Sequence, residues 1–109
     1  MLGDCNGTSC SNSIVELVET LLRSVGLSVA RNRPYSGGFT TKNYGRPSEG
    51  VQVIQIEINR SLYMNQKTVT RRPELQVLRE KMELLVKELT SIDAEILRSQ
   101  TTTPLIAAE

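Results

Sequence analysis

The stretch GVQVIQIEIN, Gly50 to Asn59, constrains the fold more than any other part of the chain. Successive side chains of a strand point to opposite faces. Val51 and Val53 therefore share one face, and Ile54, Ile56 and Ile58 the other. A strand that is apolar on both faces is covered on both, as in the middle of a helix-flanked sheet. Val51 to Ile58 is thus expected to be a central strand of an α/β fold. Glu57 is the exception within it. Alternation sets it with Val51, Val53 and Gln55 near the strand's end, and a carboxylate there is costly to bury unless it is paired or functional.

The connection leading into this strand, residues 31 to 50, is long, and long connections in small domains are often functional. Between Arg31 and Arg46 it holds the cations Arg31, Arg33, Lys42 and Arg46 and no acid, which reads as a local anion site. Tyr35, Phe39 and Tyr44 are expected to anchor the loop by packing. A short hairpin is expected over Phe39 to Lys42. Gly37-Gly38 offers either a tight turn or a close backbone approach whose N–H groups face a ligand.

The segments before this loop form a strand–helix–strand unit. Met1 to Asp4 ends a strand, and Cys5 to Ser11 is a polar loop turning at Asn6-Gly7. A helix starts near Asn12 or Ser13, with Glu16 in its first turn. Ile14, Leu17, Val18, Leu21, Leu22 and Val25 recur at helical spacing, and Gly26 ends the helix. Leu27 to Ala30 is expected to be a strand parallel to the first. A strand at residue 1 suits an internal or artificial start.

After the Val51–Ile58 strand, a turn or short helix is expected over Asn59 to Asn65 and an exposed polar segment over 66 to 72. Pro73 then opens a helix expected to reach Ser99. Leu75, Leu78, Met82, Leu85, Leu89, Ile92 and Ile96 form its seam, which Leu84, Val86 and Leu97 widen for packing on a sheet. The same helix, 73–99, is a candidate for self-association or for contact with a missing N-terminal half. Residues 100–109 are expected to be a disordered tail.

Composition narrows the function classes. Of 109 residues 39% are hydrophobic and 4% aromatic, enough for one small domain with few large anchors. The formal net charge of +1 gives no general reason to bind nucleic acid or an anionic membrane. No apolar run is long enough to span a bilayer, and no secretory leader is recognisable. Cys5 and Cys10 have no third or fourth Cys or His to complete a structural zinc site, so reduced thiols in a cytoplasm are expected.

The order RNRPYSGGFTTKNYGRP, then GVQVIQIEINRSLYM, resembles the C-terminal half of N-formylglutamate amidohydrolases. The likeness reaches back to LGDCNGTSC at Leu2 to Cys10 and forward to about Leu89. The resemblance implies a partial phosphorylase/hydrolase-like, zinc carboxypeptidase-like sheet with covering helices, and makes residues 1–99 the C-terminal portion of such a domain. It implies hydrolysis of N-formyl-L-glutamate, or a similar small N-acyl amino acid, to formate and L-glutamate. Zinc is expected in the full-length family member but not in this chain. The family's metal ligands lie upstream in His-containing motifs, and this chain has no histidine. Alone, it is expected to be inactive. By the same resemblance, Glu57 is the catalytic group, taking a proton from metal-activated water and passing it to the leaving nitrogen. The residues themselves leave open a plain salt bridge from Glu57 to Arg60 or to a loop arginine.

Arg33, Arg46 and Arg60 are candidates for the two carboxylates of formylglutamate, which guanidinium groups hold bidentately. Lys42 is a further candidate. Tyr35, Gly37, Gly38 and Asn43 complete the substrate-binding set. Many family members carry histidine where Asn43 and Gln52 stand, and neither replacement titrates near neutral pH. The rival reading is a non-catalytic module whose basic, aromatic loop captures an anion or single-stranded nucleic acid.

Overall fold

The structure is a computed structural model and describes residues 1–92 of the chain. The expected ends of the long helix, including Ile96 and Leu97, and the expected tail 100–109 lie outside the described residues. In chain order the regular elements are β1 (Leu2–Gly3), α1 (Asn12–Ser24), α2 (Phe39–Tyr44), β2 (Gln55–Ile56), β3 (Met64–Asn65), β4 (Thr70–Arg71) and α3 (Glu74–Thr90). Single 3-10 turns occupy Pro47–Glu49 and Arg60–Leu62. The class is mixed helix and strand, as the α/β expectation requires.

β1 is the hub of the small sheet. On one side the Leu2 N–H donates to the Ala30 carbonyl, and the Asn32 N–H donates to the Leu2 carbonyl, each at 2.7 Å. This is the expected parallel neighbour, reduced to a single bridge between Leu2 and Arg31. On the other side β1 pairs antiparallel with β2, Leu2 opposite Ile56 and Gly3 opposite Gln55. The ladder closes with the Glu57 N–H on the Met1 carbonyl at 2.9 Å and the Met1 amino group on the Glu57 carbonyl at 3.0 Å. Val51–Ile58 is therefore not central. Among the described residues its only strand partner is β1, and regular pairing is confined to Gln55–Ile56. Ile54 and Ile56 pack on the core, whereas Val51 is 46% exposed.

α1 forms where the sequence says it should, because its signals are local. Ile14, Val15, Val18 and Leu22 bury one stripe. Val15 joins the core, while Leu17 stays exposed, so the buried face is rotated from the one expected. Glu16 lies beyond the first turn, where no acid is found, and accepts instead from Asn12 Nδ2 at 3.0 Å. The C-terminus is a complete Schellman motif. The Leu27 N–H reaches the Leu22 carbonyl and the Gly26 N–H the Arg23 carbonyl, at 3.1 and 3.0 Å, with Gly26 left-handed at φ 88°.

α3 starts after Pro73 and lies against α1. Leu78 and Leu85 are buried, and Met82, Leu89 and Ile92 flank the core. Leu84 and Val86 face outward, so they do not widen the packed stripe as expected. The helix covers a helix with a narrow seam rather than a sheet with a broad one. The polar segment before it is exposed but ordered as a β3–β4 hairpin, Met64 opposite Arg71. Asn65 Oδ1 holds its turn by accepting from the Lys67 and Thr68 N–H groups.

Candidate active site around Glu57

The loop from Arg31 to Gly50 is fastened at its root by a buried acid. Asp4 accepts from Asn32 Nδ2 at 2.8 Å and from the Gly7 N–H at 3.0 Å, while Asn32 Oδ1 accepts from the Asp4 N–H at 3.1 Å. The Cys5 N–H donates to the Ser36 carbonyl at 2.8 Å. The turn after β1 and the first part of the loop thus form one hydrogen-bonded unit, centred on Asp4 Oδ1 and the Asn32 side chain.

The expected hairpin at Phe39 to Lys42 is helix α2. Its Thr41 turns inward at 2% exposure, donates from Oγ1 to the Gly38 carbonyl at 2.8 Å and accepts from Cys5 Sγ at 3.2 Å. Tyr35, Phe39 and Tyr44 are 62%, 72% and 60% exposed, so they are not the loop's anchors. Phe39 and Tyr44 meet edge to face at 6.4 Å on its surface. Gly37 has φ 132° and sits where a Cβ would strike Thr41 and Cys5.

Glu57 and Tyr35 line one open cleft of about 540 Å³, together with Met1, Val29, Pro34 and Asn59. Of the site residues expected from the sequence, Glu57 and Tyr35 line it and the others do not. Arg33 adjoins the cleft through Pro34. Glu57 is exposed, not buried in a covered strand as expected, because among the described residues β2 is paired on one side only. Its Oε1 accepts from Gln55 Nε2 at 2.6 Å. Among the described residues no cation lies within ion-pair distance of it, so the salt bridge to Arg60 or a loop arginine is not formed.

The other candidates divide by what they touch. Arg46 faces Glu49 at 3.7 Å, both exposed. Arg31 Nε donates to Glu19 Oε1 at 2.8 Å. Half of the cations of the expected anion loop are thus matched by acids from neighbouring segments. Arg33, Lys42 and Arg60 make no ion pair among the described residues. Asn43 Nδ2 donates to the Phe39 carbonyl at 2.8 Å within α2. Gln52 Oε1 accepts from the Ser11 N–H at 2.7 Å, tying the incoming strand to the start of α1. Gly38 does not present its N–H to the cleft; it donates to Gln55 Oε1 at 3.1 Å. Gln55 is the residue that sequence reasoning passed over. Its only signal was its place two residues before Glu57, on the same face.

Burial, with the Asp4 charge second, pushes the Cys10 thiol up to about 12. No group of three or more His, Cys, Asp or Glu side chains is arranged for a metal among the described residues. No described helix is long and apolar enough to cross a membrane.

The N-formylglutamate amidohydrolase family model matches residues 1–64. N-formylglutamate deformylases of Pseudomonas putida and Pseudomonas aeruginosa are 32% and 30% identical over 66 residues, 60% of this chain and 25% of each relative. The crystal structure of an N-formylglutamate amidohydrolase from Ralstonia eutropha JMP134 superposes with a TM-score of 0.76 at 41% identity. That match covers 90% of this chain and 34% of the other. The chain therefore spans about a quarter of the curated relatives' length and about a third of the structural neighbour's.

Proposed function

The chain belongs to the N-formylglutamate amidohydrolase family, and from that premise we propose that it supplies the Glu57 side of a site hydrolysing N-formyl-L-glutamate. The observation that supports this most is the cleft shared by Glu57 and Tyr35, at the end of the β1–β2 pair. Water adds to the formyl carbon as its proton passes to the Glu57 carboxylate. The carbon–nitrogen bond then breaks, Glu57 returns the proton to the leaving nitrogen, and formate and L-glutamate result. Arg33 and Arg60 are the proposed holders of the substrate's carboxylates. Arg46 joins them by exchanging Glu49 for substrate, since an exposed pair is weak.

The proposed overall architecture is the carboxypeptidase-like sheet, of which this chain is one part. Family chemistry brings in zinc, but this chain's donor set does not fit it. It has no histidine, and its described residues gather no three-ligand cluster. The 109-residue chain alone is expected to be inactive. In a family-length protein the outward Leu84 and Val86 of α3 are the proposed contact for the remaining two-thirds. The proposed setting is the cytoplasm, where Cys5 and Cys10 remain free thiols. The rival reading as a nucleic-acid or anion module is weakened by the pairing of Arg31 with Glu19.

A chimera tests the proposal. Residues 1–92 replace the matching third of the Ralstonia eutropha amidohydrolase, and formate release from N-formyl-L-glutamate is followed. Hydrolysis by the folded chimera is expected. A folded chimera that neither binds nor cleaves the substrate, while the parent does, overturns the proposal.

A further inference from the structure

Gln55 is bonded at both ends. Its Nε2 donates to Glu57 Oε1 at 2.6 Å, and its Oε1 accepts from the Gly38 N–H at 3.1 Å. The two partners fix the amide's orientation without ambiguity. A carboxylate only accepts and a backbone N–H only donates, so the reverse orientation would lose both bonds. The bond to the carboxylate is charge-assisted, which makes it the stronger of the two.

We propose that Gln55 is a positioning residue that locks the Glu57 carboxylate to the Gly37–Gly38 loop, so that acid and loop move as one unit. The surroundings explain why such a lock is needed. Glu57 is exposed on an edge strand and has no ion-pair partner among the described residues. Its side chain stands at the rim of an open cleft. Backbone bonds to Met1 fix where the residue sits, but not where its carboxylate points. The loop, by contrast, is rigid at this point. The Gly38 carbonyl accepts from Thr41 Oγ1 at 2.8 Å and from the Lys42 N–H at 3.2 Å, and Gly37 is wedged against Thr41 and Cys5. Gln55 carries that rigidity across to the acid. A base placed this way keeps its geometry through the proton transfer, and small misplacements cost catalysis heavily.

The meaning of this lock for catalysis rests on Glu57 acting as the base, but the lock itself is tested independently of activity. Isotope-labelled 109-residue chain is followed by NMR as it is acidified. The Gln55 side-chain amide and the Gly38 N–H are expected to shift together with the Glu57 carboxyl carbon. Glu57→Gln, at an exposed position, is expected to abolish both shifts. Gln55→Leu is expected to leave the Glu57 titration in place and remove the Gly38 response. A Gly38 signal that ignores Glu57 in the native chain, or still follows it in Gln55→Leu, overturns the proposal whether or not any form of the protein is active. In the active chimera, Gln55→Leu is expected to lower kcat about 10- to 100-fold with KM nearly unchanged. A rise in KM at constant kcat there makes Gln55 a substrate contact and overturns the positioning role.

Discussion

Arg31 Nε donates to Glu19 Oε1 at 2.8 Å, joining the residue that follows the second parallel segment to the middle of α1. The other oxygen of the same carboxylate takes Arg23 at 3.3 Å. This pair removes Arg31 from the basic loop and makes it part of the scaffold.

The pair has a pH signature. The hydrogen bond from Arg31, with the charges of Arg31 and Arg23 behind it, holds the Glu19 carboxyl below its ordinary value. A group with a depressed folded pKa contributes stability above its unfolded pKa and loses it as pH falls through the folded one. Glu19→Gln should therefore lower the urea midpoint at pH 7, and the two proteins should converge in acid. High salt should shrink the gap at pH 7. Parallel curves across the whole acid range would contradict this account.

The two leucines at 84 and 85 separate the faces of α3. Leu85 is 5% exposed in the core and Leu84 is 49% exposed. Leu85→Ala should cost about 2–4 kcal/mol by urea denaturation, and Leu84→Ala less than about 0.5 kcal/mol. Equal costs would mean that α3 is turned about its axis relative to this description.

Gly37 carries a backbone conformation that L side chains rarely adopt, against Thr41 and Cys5. Gly37→Ala should cost about 1–3 kcal/mol and expose the Gly38 amide to faster hydrogen exchange. An alanine variant as stable as the parent would show that the loop relaxes freely there.

The cysteines should differ in reactivity. Cys10 is buried with its thiol pushed up to about 12, whereas Cys5 is partly exposed. At pH 8, iodoacetamide should label Cys5 in the native chain, and both residues only after unfolding, as read by peptide mass spectrometry. Rapid native labelling of Cys10 would contradict its burial.

What the sequence disclosed follows the range of the forces involved. The extent of α1 and its end at Gly26 were legible, because helical periodicity and a glycine C-cap act within a few residues; its N-cap was not, since Ser11 holds that place, without a side-chain bond, rather than Asn12 or Ser13. The apolar character of Val51–Ile58 was also legible. Its pairing was not, because which segment lies beside Ile56 depends on Leu2, far away in the chain. Pairing on one side only, among the described residues, then leaves Glu57 exposed, so the expected burial failed for the same reason. α2 was missed because the inward turn of Thr41, which accepts from the partly exposed Cys5, is a contact between residues far apart in the chain. Tyr35 was expected to pack within the loop and lines the cleft beside Glu57 instead, because the fold of the loop's first residues depends on contacts with the turn after β1. The Gln55 link was not anticipated, since a hydrogen bond to Gly38 leaves no mark in local pattern.

The most direct test of the account is turnover of N-formyl-L-glutamate by the chimera carrying Glu57→Gln, measured as formate release. If Glu57 is the base, kcat should fall by about 10²- to 10⁴-fold while the chimera remains folded. Unchanged turnover would contradict the central claim and move the proton transfer to another residue.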